Sequence, residues 1–209
     1  MIRILIADDH AIVRKGLKQI VIEQYPTANV GETGDAEDLI SKVVEQQWDV
    51  VICDMSMPGR SGLDALQQIK EINPKLPVLI MSMYPEDQYA LRVLKAGAYG
   101  YLGKETIHDD IVKAIETVLL GNKFITPSIA EKLADNFDMD SKRPEHEVLS
   151  DREFDVFKML AAGNSLTEIA SKLSLSSTTV STYRAHILEK MNMRSNAELT
   201  RYALEKNIV

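Results

Sequence analysis

Val50-Val51-Ile52-Cys53-Asp54-Met55-Ser56-Met57-Pro58-Gly59 runs from an apolar segment into one carboxylate and then into a turn. An unbroken apolar run of this length reads as a strand buried on both faces, as in a parallel sheet covered by helices. Such sheets bind ligands beyond the carboxyl ends of their strands, where Asp54 falls. Asp54 also fits a second reading, a side chain that caps the following turn, and the stretch alone does not choose between them.

Outward from this stretch the pattern repeats. Residues 2–7 predict a first strand, ending at Asp8-Asp9-His10, and 11–24 a helix stopped by Pro26. A weak strand near 28–33, a helix over 36–46, the strand 49–53 and a helix over 62–72 follow. Then come a strand at 77–82, a helix at 87–96, a short strand at 99–102 and a helix at 107–120. Strands alternating with helices in this way predict an α/β fold, a five-stranded parallel doubly wound (flavodoxin-like) sheet with right-handed crossovers. The alternation stops near Gly121. Residues 122–146 read as a linker with helix-forming material at 128–136 and a polar stretch before Pro144. From 147 to 209 the period is helical throughout, with helices expected at 151–162, 165–172, 177–191 and 195–206. Ser150-Asp151-Arg152-Glu153 has the spacing of a capping box.

Composition narrows the function. With 209 residues and 45% hydrophobic content the chain suits one large domain or two small ones rather than a disordered protein. No stretch approaches the roughly 20 apolar residues of a membrane span, and the N-terminus lacks a signal-peptide layout, so a cytoplasmic protein is expected. The single cysteine, Cys53, excludes an internal disulfide and sits as a small core residue. Net charge is −6 over residues 1–121, −1 over 122–146 and 0 over 147–209. The acid is concentrated in the first part, and DNA binding in the last part depends on local placement of Arg and Lys.

In a doubly wound sheet Asp8, Asp9, Asp54, Ser82 and Lys104 all reach one edge, each at or just past a strand end. Three gathered carboxylates repel one another and raise each other's proton affinity unless a cation intervenes. Mg²⁺ fits, since it takes hard oxygen ligands, needs only one or two carboxylates and leaves positions for water or phosphate. A carboxylate beside that cation and the Lys104 ammonium is suited to attack a phosphoryl donor and to hold the resulting acyl phosphate. Gly97 to Glu105 superficially suggests a P-loop. The GxxxxGK[ST] spacing fails, with Ala98 for the first Gly and Glu105 for Ser or Thr.

Together, Asp8-Asp9, Asp54-Met55-Ser56-Met57-Pro58-Gly59, Ser82 and Tyr101-Leu102-Gly103-Lys104 make residues 1–121 resemble a two-component response-regulator receiver domain. The resemblance implies that Asp54 is the phosphoacceptor, with a sensor histidine kinase as the phosphoryl source. It further implies that Asp8, Asp9, Asp54 and the Ser56 carbonyl hold Mg²⁺, that Lys104 contacts the phosphoryl group, and that Ser82 and Tyr101 form a switch pair. Gly103 replaces the larger residue common in the family, so a looser loop before Lys104 is expected. Met55 and Tyr84 add bulk near the site, from which slow self-dephosphorylation is expected.

In the C-terminal part Val180, Ile187, Leu188 and Met191 share the core face of the 177–191 helix. Ser177, Thr178, Ser181, Thr182, Arg184 and Ala185 are left outward near its N-terminal half, where a recognition helix meets DNA. Leu149 to Glu153, Ala162 to Ser165, Glu168 to Leu173 and Thr179 to Arg184 resemble the LuxR-type helix-turn-helix of NarL/FixJ response regulators, over residues 147–209. The resemblance implies base contacts from Ser181, Thr182 and Ala185, phosphate contacts from Arg184 and Lys190, and a DNA-facing N-terminal turn with Thr178 and Thr179. It implies that the 195–206 helix pairs two copies of the chain on DNA. Ser181 stands where a basic residue is usual and Tyr183 where many members have His.

The expected function is therefore a phosphorylation-controlled DNA-binding regulator, not an enzyme beyond its own phosphorylation and dephosphorylation. Two other readings stay open. A Mg²⁺-dependent aspartyl-phosphate phosphotransferase lacks a second acid at Ser56, and a phosphate-independent interaction regulator fits the neutral charge of residues 147–209.

Overall fold

The structure is a computed structural model. It describes all residues except 58, 59, 139–144, 174 and 207, and the side chains of 135–138, 147 and 151 are likewise outside the description. The chain divides into two compact units, Met1–Met139 and Asp140–Val209.

The first unit is built on one sheet. The strands are β1 (Arg3–Ala7), β2 (Asn29–Thr33), β3 (Val50–Asp54), β4 (Val78–Ser82) and β5 (Gly100–Gly103), in the order β2-β1-β3-β4-β5. Every neighbouring pair is parallel. β3 lies at the centre and all five of its residues are buried, as its continuous apolar run requires. β2 is an edge strand buried fully only at Thr33, which explains its weak apolar signal. The registers Ala7↔Cys53 and Asp54↔Met81 bring the carboxyl ends of β1, β3 and β4 level, so the residues after them share one edge.

Helices α1 (Ala11–Gln24), α2 (Ala36–Glu45), α3 (Gly62–Ile72), α4 (Glu86–Lys95) and α5 (Ile107–Leu119) connect and flank the strands. Ile4, Ile6, Val50, Ile52, Leu79, Met81 and Leu102 pack on one sheet face against Leu17 and Val21 of α1 and Ile111, Ile115 and Val118 of α5. Strand alternation sends Leu5, Val51, Cys53 and Ile80 to the opposite face. Local chemistry sets the helix starts: Asp35 accepts the Asp38 N–H, and Ser61 and Asp64 form a reciprocal capping box. Gly62 is required there, because a Cβ would lie 2.0 Å from the Asp54 carbonyl oxygen.

The stretch expected to be mostly linker contains a further helix, α6 (Pro127–Asp138), which packs on α4 in the first unit. The polar stretch before Pro144 falls largely on 139–144, outside the described residues.

The second unit opens with a 3-10 turn at Glu145–Val148 that the sequence reading did not include. α7 (Asp151–Ala161), α8 (Leu166–Leu173), α9 (Ser177–Lys190) and α10 (Asn196–Glu205) follow. α7 packs on α9 and α10, and α8 on α9. Phe154, Phe157, Leu160, Ile169, Val180, Ile187, Leu199 and Tyr202 are buried and form the core. The capping box is present: Ser150 caps α7 and Glu153 accepts the Ser150 N–H at 2.7 Å.

Candidate functional site

At the sheet edge, Asp8 is fully buried and Asp54 is 2% exposed. The Lys104 ammonium, which follows β5, lies 2.7 Å from Asp8 Oδ2 and 2.9 Å from Asp54 Oδ2. One cation is shared by two carboxylates. Burial raises the Asp54 pKa above the ordinary carboxylate value and Asp8 adds to this, while Lys104 and the Ser56 backbone N–H only partly offset the rise. Burial by itself would lower the Lys104 pKa, but its hydrogen bonds to Asp8 and Asp54 outweigh that and leave it raised. Asp9 stands at the mouth with its side chain 28% exposed.

His10 joins the site although it was not among the residues expected there. Its Nδ1 lies 2.7 Å from Asp9 Oδ1 and 3.3 Å from Asp8 Oδ1, and its backbone N–H donates to Asp8. Asp8, Asp9, His10 and Asp54 each offer an atom, all within 4.8 Å of one another, that could hold a metal ion. The donor set is dominated by carboxylate oxygens with one ammonium as internal counter-charge, and it fits a hard divalent cation. Arg14 was also unforeseen: its Nη1 donates to the Asp8 carbonyl at 2.6 Å and so fixes the turn after β1. The signal available was its one-turn spacing from His10.

Ser82 and Tyr101 are both buried, and a common loop joins them. Ser82 Oγ accepts the Tyr84 N–H at 3.0 Å, and the Tyr101 hydroxyl donates to the Tyr84 carbonyl at 2.7 Å. Burial pushes the Tyr101 phenol up to about 12, so it is a hydrogen-bond donor at neutral pH. The Lys104 N–H donates to the Ser82 carbonyl at 2.8 Å, so Gly103 does not leave that backbone untethered. Met55 is 3% exposed. Tyr84 is half-buried with its ring stacked on Tyr89, centroids 4.8 Å apart.

In the second unit Thr178, Ser181, Thr182 and Ala185 are exposed on one side of α9, and Thr179 is half-buried. Ser176 caps the helix through the Thr179 N–H, and its hydroxyl meets that of Thr179 at 2.8 Å. The Thr182 hydroxyl donates back to the Thr178 carbonyl. The two expected phosphate partners are engaged inside the unit. Arg184 Nε donates to Asn196 Oδ1 at 2.7 Å, and Lys190 Nζ lies 2.7 Å from Glu153 Oε2. Glu153 is 3% exposed; burial alone would raise its pKa, but Lys190 and Ser150 hold it below the usual value. Lys190 therefore serves first as counter-ion to a buried carboxylate.

Comparison with known proteins agrees with this arrangement. Residues 4–116 match the response regulator receiver domain family, and residues 147–203 match the family described as bacterial regulatory proteins, luxR family. The oxygen regulatory protein NreC of Staphylococcus carnosus is 37% identical over 214 residues, covering 99% of both chains. Among solved structures, the RcsB response regulator of Salmonella typhimurium matches with a TM-score of 0.61 and 30% identity, over 97% of this chain and 98% of that one. RcsB of Salmonella enterica serovar Typhimurium bound to promoter rprA in the presence of phosphomimetic BeF3- matches with a TM-score of 0.60 and 29% identity, over 97% and 98%. No helix among the described residues is long and apolar enough to cross a membrane. With a receiver sheet carrying a buried carboxylate–lysine site and a LuxR-type helical unit in one chain, the protein belongs to the NarL/LuxR-type two-component response regulators, which are phosphorylation-controlled transcription regulators.

Proposed function

We propose that Asp54 is the phosphoacceptor and that residues 1–121 control DNA binding by residues 147–209. An Asp54 carboxylate oxygen attacks the phosphorus of a phosphohistidine on a sensor kinase; the P–N bond breaks and the imidazole leaves. Asp8, Asp9, Asp54 and the Ser56 carbonyl hold Mg²⁺, which when bound supplies the charge that lets these carboxylates meet the phosphoryl oxygens. Lys104 lies within reach of Asp54 and neutralises the transferred group, and the Ser82 hydroxyl turns to donate to it. The protein acts on no other substrate; its chemistry is its own phosphorylation and dephosphorylation. It works in the cytoplasm.

On the DNA side, Ser181, Thr182 and Ala185 face base edges, and Thr178 and Thr179 face phosphate at the start of α9. Arg184 touches phosphate only by sharing or leaving Asn196, while Lys190 stays on Glu153 rather than taking the phosphate contact expected of it. Two copies bind a two-fold site, paired through α10.

The observation that carries this reading is the Asp54 carboxylate, 2% exposed and 2.9 Å from Lys104, with Asp8, Asp9 and His10 around it. Incubation with ³²P-labelled acetyl phosphate and Mg²⁺ tests it. Wild type takes up label and Asp54→Asn takes up none; full labelling of the variant would overturn the assignment.

A further inference from the structure

The segment after α5 is strapped across the edge of the sheet that holds the switch residues. The Phe124 N–H donates to the Tyr99 carbonyl at 2.7 Å, and Phe124 makes a parallel bridge with Gly100 of edge strand β5. A Cβ at Gly100 would lie 3.0 Å from Phe124 Cβ and 2.9 Å from Leu79, so glycine is what permits this crossing. Lys123 Nζ reaches the Leu94 carbonyl at the end of α4. Ile129 of α6 is 1% exposed.

At the start of α4 the strap is held by hydrogen bonds. The Thr126 hydroxyl donates to Glu86 Oε1 at 2.5 Å while also capping α6 through the Ile129 N–H. Lys132 Nζ donates to the Asp87 carbonyl at 2.9 Å and lies 3.7 Å from its carboxylate. Both clasp acceptors are in the first turn of α4, directly after the loop that Ser82 and Tyr101 hold. Among the contacts of that loop are Tyr84 N–H to Ser82 Oγ and Tyr101 O–H to Tyr84 O.

We propose that residues 123–134 are a regulatory strap, clasped to Glu86 and Asp87 when Asp54 is unmodified and released when the loop 83–85 moves. The proposal rests on the Asp54 reading. If the Ser82 hydroxyl turns toward a phosphoryl oxygen, it withdraws the acceptor from the Tyr84 N–H. The loop then shifts, and Pro85 carries Glu86 with it. The Thr126 cap on α6 and the Glu86 contact share one hydroxyl, so moving Glu86 disturbs the start of α6 itself. The phosphate thereby biases a two-state element that leads in sequence to the second unit.

Hydrogen exchange of the full chain at 124–134, read by mass spectrometry, tests the strap. Beryllofluoride with Mg²⁺ should speed exchange there about fivefold, the scale of losing contacts of this kind. Lys132→Glu should do the same without any phosphate mimic, and adding Asp87→Lys should return part of the slow rate, through the ion pair but not the bond to the carbonyl. Unchanged exchange at 124–134 in a chain whose Asp54 demonstrably takes up acetyl-phosphate label would overturn the strap and leave the phosphoacceptor intact. Failure to take up label would instead contradict the Asp54 reading. The charge-reversal pair then decides on the strap alone: fast exchange in Lys132→Glu rescued in part by Asp87→Lys supports the clasp, and no change contradicts it.

Discussion

Lys104 Nζ lies 2.9 Å from the Asp54 carboxylate, and the same ammonium serves Asp8 at 2.7 Å. Two buried carboxylates therefore share one counter-charge, and the pocket is left with net negative charge. That imbalance favours a divalent cation beside the carboxylates, all the more once a phosphoryl group adds further negative charge.

Replacing Asp54 by Asn should stabilise the first unit at neutral pH. The folded-state pKa of Asp54 is raised, chiefly by burial. Its contribution to stability is thus present below the unfolded pKa and lost as pH rises through the folded one, above which the folded state carries an unfavourable charge. Asn has none. In metal-free buffer at pH 7, Asp54→Asn should raise the melting temperature by roughly 2–4 °C. The gain should shrink with Mg²⁺ and disappear at acid pH, where wild type is protonated. A lower melting temperature at pH 7 would mean that the Lys104 pair outweighs burial.

Removing the shared cation should act in the opposite direction. Lys104→Met leaves Asp8 and Asp54 buried together without a counter-charge, which should cost about 3–5 kcal/mol in metal-free urea denaturation. Mg²⁺ should restore more stability to this variant than it adds to wild type. Equal Mg²⁺ responses would show that the cation does not bind between these carboxylates.

Glu153 binds the N-terminus of α7 to the last turn of α9 through Ser150 and Lys190. Glu153→Ala should destabilise the second unit by about 1–2 kcal/mol, the scale of a lost cap. With its folded pKa depressed, Glu153 stabilises above its unfolded pKa, and that contribution is lost as pH falls through the folded value. Acid titration followed by circular dichroism should therefore show a loss in wild type that the variant lacks.

The exposed side of α9 should be sensitive to added negative charge. Ser181→Glu or Ala185→Glu should weaken DNA binding at least about tenfold, the effect of one unfavourable contact of ~1.4 kcal/mol, without changing the thermal transition. Lys190→Met should show the reverse pattern: lower stability, but an unchanged slope of log affinity against log salt, because its charge is committed to Glu153. A slope reduced by about one would return Lys190 to the phosphate contacts.

Much of this was legible from residues alone. Continuous apolar runs such as Val50 to Cys53 mark central strands, and a parallel sheet then forces Asp8, Asp54, Ser82 and Lys104 to one edge. What sequence withheld is partnership across the fold. Periodicity put Arg184 outward but not its bond to Asn196, and Lys190 pairs with Glu153, 37 positions away. His10 follows Asp9, yet that its ring turns back onto the carboxylates depends on the local backbone. Helix-forming material at 128–136 gave no sign that Ile129 would be buried or that α6 would pack on α4.

Control of DNA binding by phosphate on Asp54 is the core of the proposed function. Its most direct test is the affinity of the full chain, with Mg²⁺, for a DNA fragment selected from a random pool, with and without acetyl phosphate. Wild type should bind at least about tenfold tighter once phosphorylated, a shift of ~1.4 kcal/mol, and Asp54→Asn should not respond. Equal affinities for phosphorylated and unphosphorylated wild type, or an equal gain in Asp54→Asn, would contradict the account.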